Sequence, residues 1–257
     1  MAYETTDSVV AKTRYFYVGM AATIALFAFG AFAPTYWVQL PAGTFVGTTL
    51  VHIHAAVFFG WPFFLLSQAW LAGHGRMTHH RASGMAGIGL ASALVILGVA
   101  TAIGSLNRRL AMGYGDAALS FLIVPLTSVL LFGGFFVAAI ANIRRPEAHK
   151  RLMLLATMSL LGAAIDRVRF FLVAGHGPGL RPGLDMPAPV ANLFMPQLAL
   201  LLLILAGVIY DWRTRGRPHP VWLVGAAVIV VALLLRAPIS ATQVWKNFAQ
   251  AAAHIAG

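Results

Sequence analysis

Polar side chains that can bind ligands or exchange protons interrupt the apolar stretches of this sequence: His52 and His54, then Asp166, Arg167 and Arg169, then Asn192 and Gln197, and finally Arg236. A charged group in hydrocarbon is costly, so each marks a site unless a neighbour satisfies it. Three arginines face one aspartate. Asp166 and Arg169 are three residues apart, which lets them pair along one helix face. Arg167 points elsewhere and can snorkel toward headgroups. Arg236 has no carboxylate in its own stretch, and a buried guanidinium without one needs an anion. A ligand carboxylate, a haem propionate, a lipid phosphate or a partner subunit would serve. The plainer alternative is that Arg167 and Arg236 snorkel and the Asp166–Arg169 pair only fixes helix packing.

The two histidines are not a ready metal site. Residues two apart on a helix project about 200° apart, so His52 and His54 share one metal only where the helix is distorted. His54, Trp61 and Gln68 recur every seven residues and mark one inward face. A lone intramembrane histidine serves as an interhelical hydrogen-bonding group, a haem ligand or a proton carrier. A haem held by two histidines needs facing helices at matching depth. Outside this stretch, His176 follows in a connection near that level, and His74, His79, His80, His149 and His219 gather at the other surface. No HExxH spacing occurs, and the absence of cysteine removes thiolate ligands. Lys246 lies at or beyond the end of the last apolar stretch, so no lysine is placed to carry retinal. No residue set identifies a catalytic centre.

The elements that position these groups follow from composition. Of the 257 residues, 60% are hydrophobic and 10% charged, against about 25% charged in soluble domains. Mean hydropathy is +0.81. Seven apolar stretches stand out, at about Tyr15–Trp37, Phe45–Leu71, Gly84–Gly104, Ala117–Ile140, Arg151–Ala174, Val190–Tyr210 and Val221–Ile239. Each is near the ~20 residues that cross a bilayer. The expected fold is an all-α integral membrane bundle of about seven transmembrane helices, one domain over 1–257, in a bacterial-type inner (cytoplasmic) membrane. A short interfacial helix could follow the last stretch. The polar N-terminal MAYETTDSVVAKTR reads as no cleavable signal peptide.

With the N-terminus inside, eleven Lys and Arg residues between Lys12 and Arg217 fall on the cytoplasmic side, against Arg108, Arg109, Arg181 and Lys246 opposite. The positive-inside rule then predicts a cytoplasmic N-terminus and an outside C-terminus. The net charge of +11 is read as topology signals and contacts with anionic lipid, not as a nucleic-acid surface. Asp166 lies about 15 residues into its stretch, roughly 22 Å at ~1.5 Å per residue. His52, His54, Asp166, Arg169, Asn192 and Arg236 therefore share one layer in the outer half. Ser83, Gly84, Gly87 and Gly89 would let a neighbouring helix approach. Pro62, Pro125 and Pro196 should kink or open their helices. The Gly/Pro-rich 175–189 connection reads as an irregular outer loop and lid. No internal repeat supports an inverted-repeat transporter.

Blocks such as HIHAAVFFGWPFFLLSQAWLAGHGR, HHRASGMAG, RRPEAHKRLMLLATMSLLGAAIDRVR and YDWRTRGRPHPVWL span nearly the whole chain. They resemble a family of uncharacterised proteobacterial multi-span inner-membrane proteins of unknown function. HHRASG is also similar to a His-Arg-x-x-Gly loop of a broader family. The resemblance implies that the span 2 histidines, Gln68, His80–Arg81, His149–Arg151, Asp166–Arg169 and the Asp211–Pro220 loop belong to a family pattern, and it implies no role for them. The leading expectation is an outer-half site for an anionic or redox ligand, haem b or a quinone, using His52 or His54 as metal ligand or hydrogen-bond partner, with Asp166, Arg169, Asn192, Arg236, Trp61 and Gln68. The alternatives are an accessory subunit of a larger membrane complex or a small-solute or proton-coupled transporter. Expected partners are membrane lipids and other subunits or further copies of the chain.

Overall fold

The computed structural model describes residues 6–174 and 187–255, with side chains over 15–172 and 187–254. His176 and Arg181, and most of the expected lid, lie outside the described residues. All regular structure described is helical: α1 (Thr6–Ala31), α2 (Thr49–Gly73), α3 (Met77–Ala111), α4 (Gly115–Phe121), α5 (Ile123–Ala141), α6 (Pro146–Ser159), α7 (Gly162–Ala174), α8 (Phe194–Gln197), α9 (Leu201–Arg215), α10 (Pro220–Ala241) and α11 (Gln243–Ile255). Five stretches are long and apolar enough to cross a membrane: Thr49–Gly73, Met77–Ala111, Gly115–Ala141, Val190–Arg215 and Pro220–Ala241. Tyr15–Ala31 is a shorter apolar helix. The chain is an all-α, membrane-embedded protein.

The interruptions have local causes. A proline ring clashes with the carbonyl four residues earlier. Pro125 meets Phe121 this way, and the helix breaks at Leu122 between α4 and α5. Pro196 sits in α8, flanked by tighter 3₁₀ turns at Val190–Leu193 and Leu198–Leu200. Pro62 is carried inside the continuous α2. The expected single helix over Arg151–Ala174 is instead split at Leu160–Leu161. There the Ser159 hydroxyl donates to the Ala156 carbonyl at 2.7 Å, and Leu160 and Leu161 bond three residues back. Hydroxyls that bond the backbone compete with the helix ladder and bend it.

The α3 helix extends well beyond the expected Gly84–Gly104, so HHRASG is the start of a helix and not a loop. At its other end Arg109 is buried, its guanidinium over the Phe121 ring at 4.3 Å.

The core runs between α1, α2, α3, α5, α6, α9 and α10. Ile24, Trp61, Leu94, Phe132, Leu155, Ile204, Trp222 and Ile229 meet there. Close approach depends on small residues. The Phe64 ring packs onto Gly87, and Gly89 faces open space. The α11 helix covers one end of the bundle through Ala249 and Ala252. The Trp245 indole donates to the Leu119 carbonyl at 2.9 Å, and the Asn107 amide to the Ala253 carbonyl at 3.1 Å.

On Gly207 a Cβ would sit 2.5 Å from Trp222 Cζ2, and that indole is fully buried. Gly207→Ala should therefore cost about 1–3 kcal/mol through overpacking, lowering the melting temperature of the detergent-solubilised protein. Gly89→Ala, with open space around it, should be neutral or slightly stabilising. Equal melting temperatures for the two variants would show that α9 and α10 do not meet this way.

Candidate functional site

Four elements bring polar side chains to one level. Asp166 is on α7, Gln197 ends α8, Ser128 is on α5 and Arg236 is on α10. The Gln197 amide nitrogen donates to Asp166 Oδ2 at 2.7 Å. Its carbonyl oxygen accepts from Arg236 Nη1, and Arg236 Nη2 donates to Ser128 Oγ at 3.0 Å. The result is a chain of hydrogen bonds across the bundle, in which Gln197 offers its donor to the carboxylate and its acceptor to the guanidinium. Gln197 reaches this place because Gly162 starts α7: a Cβ there would lie 3.1–3.3 Å from the amide group. Gln197 and Arg236 are 1% and 4% exposed.

Asp166 is thus bonded by Gln197, not by Arg169 as the three-residue spacing predicts. Arg169, Arg167 and Arg236 still act on the Asp166 carboxylate through their charges. Several buried atoms at this level have no hydrogen-bond partner: Asp166 Oδ1, the Nε atoms of Arg167, Arg169 and Arg236, and His54 Nδ1. Arg167 lies over the Phe32 ring at 3.9 Å and donates to the Ala163 carbonyl at 3.0 Å. It is also an electrostatic neighbour of His54, so it is directed at α1 and α2.

The two histidines diverge. His52 Nδ1 meets the Tyr36 hydroxyl at 3.0 Å, with Phe45 against its ring. His54 stacks on Phe58 with ring centroids 3.9 Å apart. Their different neighbours keep the two rings from sharing one metal. Among the described residues, no group of three or more His, Cys, Asp or Glu could hold a metal ion. Three further expected residues stand apart. Asn192 is exposed on the 3₁₀ turn before α8. The Trp61 indole is fully buried and donates to Thr157 Oγ1 at 2.9 Å, tying α2 to α6. The Gln68 amide donates to Ser83 Oγ at 2.6 Å, tying α2 to α3.

A second polar cluster, at the other end of α6, escaped sequence reasoning. Arg151 is 1% exposed and Asp211 is 0% exposed. Arg151 donates through Nε to Asp211 Oδ2 at 2.9 Å and through Nη2 to Oδ1. Its Nη1 bonds the Glu147 carbonyl at 2.7 Å and Glu147 Oε2 at 2.8 Å. Asp211 Oδ2 also accepts the His219 amide at 3.0 Å. The available signal was Asp211 itself, a carboxylate closing the apolar run LLLILAGVIY, but nothing local names a partner 60 residues away.

No protein-family model, curated protein or solved structure matches the chain.

Burial alone would raise the Glu147 carboxyl, yet hydrogen bonds from Lys150 and Arg151 outweigh it and hold the group at about 2, down from the ordinary 4.5. A depressed carboxyl adds stability above its unfolded value and loses it as pH falls toward the folded one. Wild type should therefore melt above Glu147→Gln at pH 6, with the gap closing progressively below pH 4.5. A gap independent of pH would show that Glu147 is not ionised in this cluster.

Proposed function

We propose that the chain crosses the membrane seven times, with its N-terminus inside and its C-terminus outside, and that the Asp166–Gln197–Arg236 layer binds an anionic or carbonyl-bearing ligand in the outer half. In this reading α1 and the split α6–α7 pair add two crossings to the five long apolar stretches. The Arg76–Arg81, Arg144–Arg151 and Arg213–Arg217 segments then share the inner side, where the positive-inside rule puts them. The α11 helix lies on the outer surface.

The observation that carries the ligand reading is the state of Arg236. It is nearly fully buried, and its two terminal nitrogens bond the neutral groups of Gln197 and Ser128. Its Nε has no partner. Among the described residues no carboxylate lies within ion-pair distance of it. A buried guanidinium left in this state favours an acceptor from outside the chain. The Nε donors of Arg167 and Arg169 on α7 are also unpartnered, and Arg167 is an electrostatic neighbour of His54. Such a set suits a quinone carbonyl or a carboxylate. It suits a bis-histidine haem less well, because His52 is engaged by Tyr36 and turns away from His54.

The test is an absorption spectrum and mass spectrometry of the organic extract from protein purified in mild detergent. A quinone or carboxylate compound should co-purify near stoichiometry and fall about tenfold in Arg236→Gln, the cost of one charge-assisted hydrogen bond. A Soret band would replace the quinone version with haem. A colourless preparation with nothing but bulk lipid, unchanged by Arg236→Gln, would contradict the reading.

A further inference from the structure

At the end of the bundle away from Arg236, side chains of α1, α6 and α9 line a half-open cavity of about 250 Å³. Its charged lining is Lys150, Arg151 and Arg215 against Glu147 and Asp211, with Tyr17 contributed by α1. Three cations against two carboxylates leave one positive charge. Asp211 is fully committed to Arg151 and the His219 amide. All three cations then converge on Glu147. Oε1 takes Lys150 Nζ at 2.6 Å, and Oε2 takes both Arg151 Nη1 at 2.8 Å and Arg215 Nη1. One carboxylate, its side chain 43% exposed, is holding three cationic donors. Two of the donors must share one oxygen of this carboxylate, whereas a tetrahedral oxyanion has an oxygen for each donor.

A second observation points the same way. Tyr17 is 8% exposed and lines this cavity, and its hydroxyl is buried with no hydrogen-bond partner. An unsatisfied buried hydroxyl is costly and marks a missing acceptor. Tyr17 is also held in place. Lys150 sits 4.3 Å from its ring centre, and Phe16 stacked on Tyr210 at 3.7 Å meets its edge.

We propose that this cavity is a phosphate-binding site, in which Lys150, Arg151, Arg215 and the Tyr17 hydroxyl donate to the phosphate oxygens and Glu147 is the built-in anion that the phosphate displaces. Glu147 lies half-exposed in the first turn of α6, so it can turn to water when displaced. The ligand class is a phosphate mono- or diester, carried by a lipid headgroup or by a soluble compound. The proposal is independent of the ligand reading at Arg236.

The full chain in mild detergent is titrated with inorganic phosphate. In parallel it is placed in nanodiscs with and without phosphatidylglycerol. Binding is followed by thermal shift and native mass spectrometry. Saturable binding is expected in at least one arm. It should weaken about tenfold in Arg215→Gln and several-fold in Tyr17→Phe, and strengthen about tenfold in Glu147→Gln, where the competing carboxylate is gone. Binding of phosphate alone identifies a soluble ligand, and selective retention of phosphatidylglycerol identifies a headgroup. Either supports the site. Absence of saturable binding in both arms, or binding unchanged in Arg215→Gln and Tyr17→Phe, overturns it. Should Glu147→Gln fail to fold, the wild type and the other two variants decide the matter.

Discussion

A guanidinium buried in a helical membrane bundle is costly unless its donors find acceptors, and two of the buried arginines, Arg151 and Arg236, meet this demand to different degrees. Arg151 is saturated by carboxylates and a carbonyl, with Asp211 on one side and Glu147 on the other. Arg236 is held by an amide and a hydroxyl, with its charge balanced only at a distance by Asp166. Arg151 is anchored by the buried Asp211 carboxylate, so its charge stays compensated even when its second acceptor, Glu147, is exchanged for another anion. An arginine held by neutral groups keeps its charge available to something else. The contrast is why the two ends of the bundle differ in chemistry although both are rich in arginine.

The packing follows from that requirement. Gln197 can join Asp166 to Arg236 because Pro196 breaks the regular helix there and Gly162 clears space for the amide. The split between α6 and α7 lies between the two clusters, so Arg151 and Asp166 sit on separate helical pieces. Gly207 against Trp222 and Gly225 against Leu155 bring α9, α10 and α6 together. That approach carries Asp211 to Arg151. In hydrocarbon, close backbone approach supplies the packing that water would drive in a soluble core.

The five long apolar helices were legible in the sequence because about 20 apolar residues in a row have few other uses. Helix ends were less legible. Basic residues at the ends of α3 look like loop signals, yet the helix carries His79, His80, Arg108 and Arg109 within it. The break near Leu160 is not legible locally, because it lies at the Ser159 hydroxyl bond to the Ala156 carbonyl and a single serine leaves no strong pattern. The common level of Asp166 and Arg236 could be counted from residue rise. Their link through Gln197 could not, because it depends on how each helix is rotated. The spacing of Asp166 and Arg169 suggested a local pair that tertiary packing replaced. The Arg151–Asp211 pair is not legible locally, because the two partners stand 60 residues apart at the ends of different apolar stretches.

The two clusters matter as a pair only if the membrane lies between them. The chain contains no cysteine, so single cysteines can report sidedness directly. Thr214→Cys lies beside the Arg151 cluster, and Gln250→Cys lies exposed on α11 at the other end. In right-side-out vesicles a membrane-impermeant maleimide should label Gln250→Cys at once and Thr214→Cys only after permeabilisation. Labelling of both positions from the same side would contradict the account.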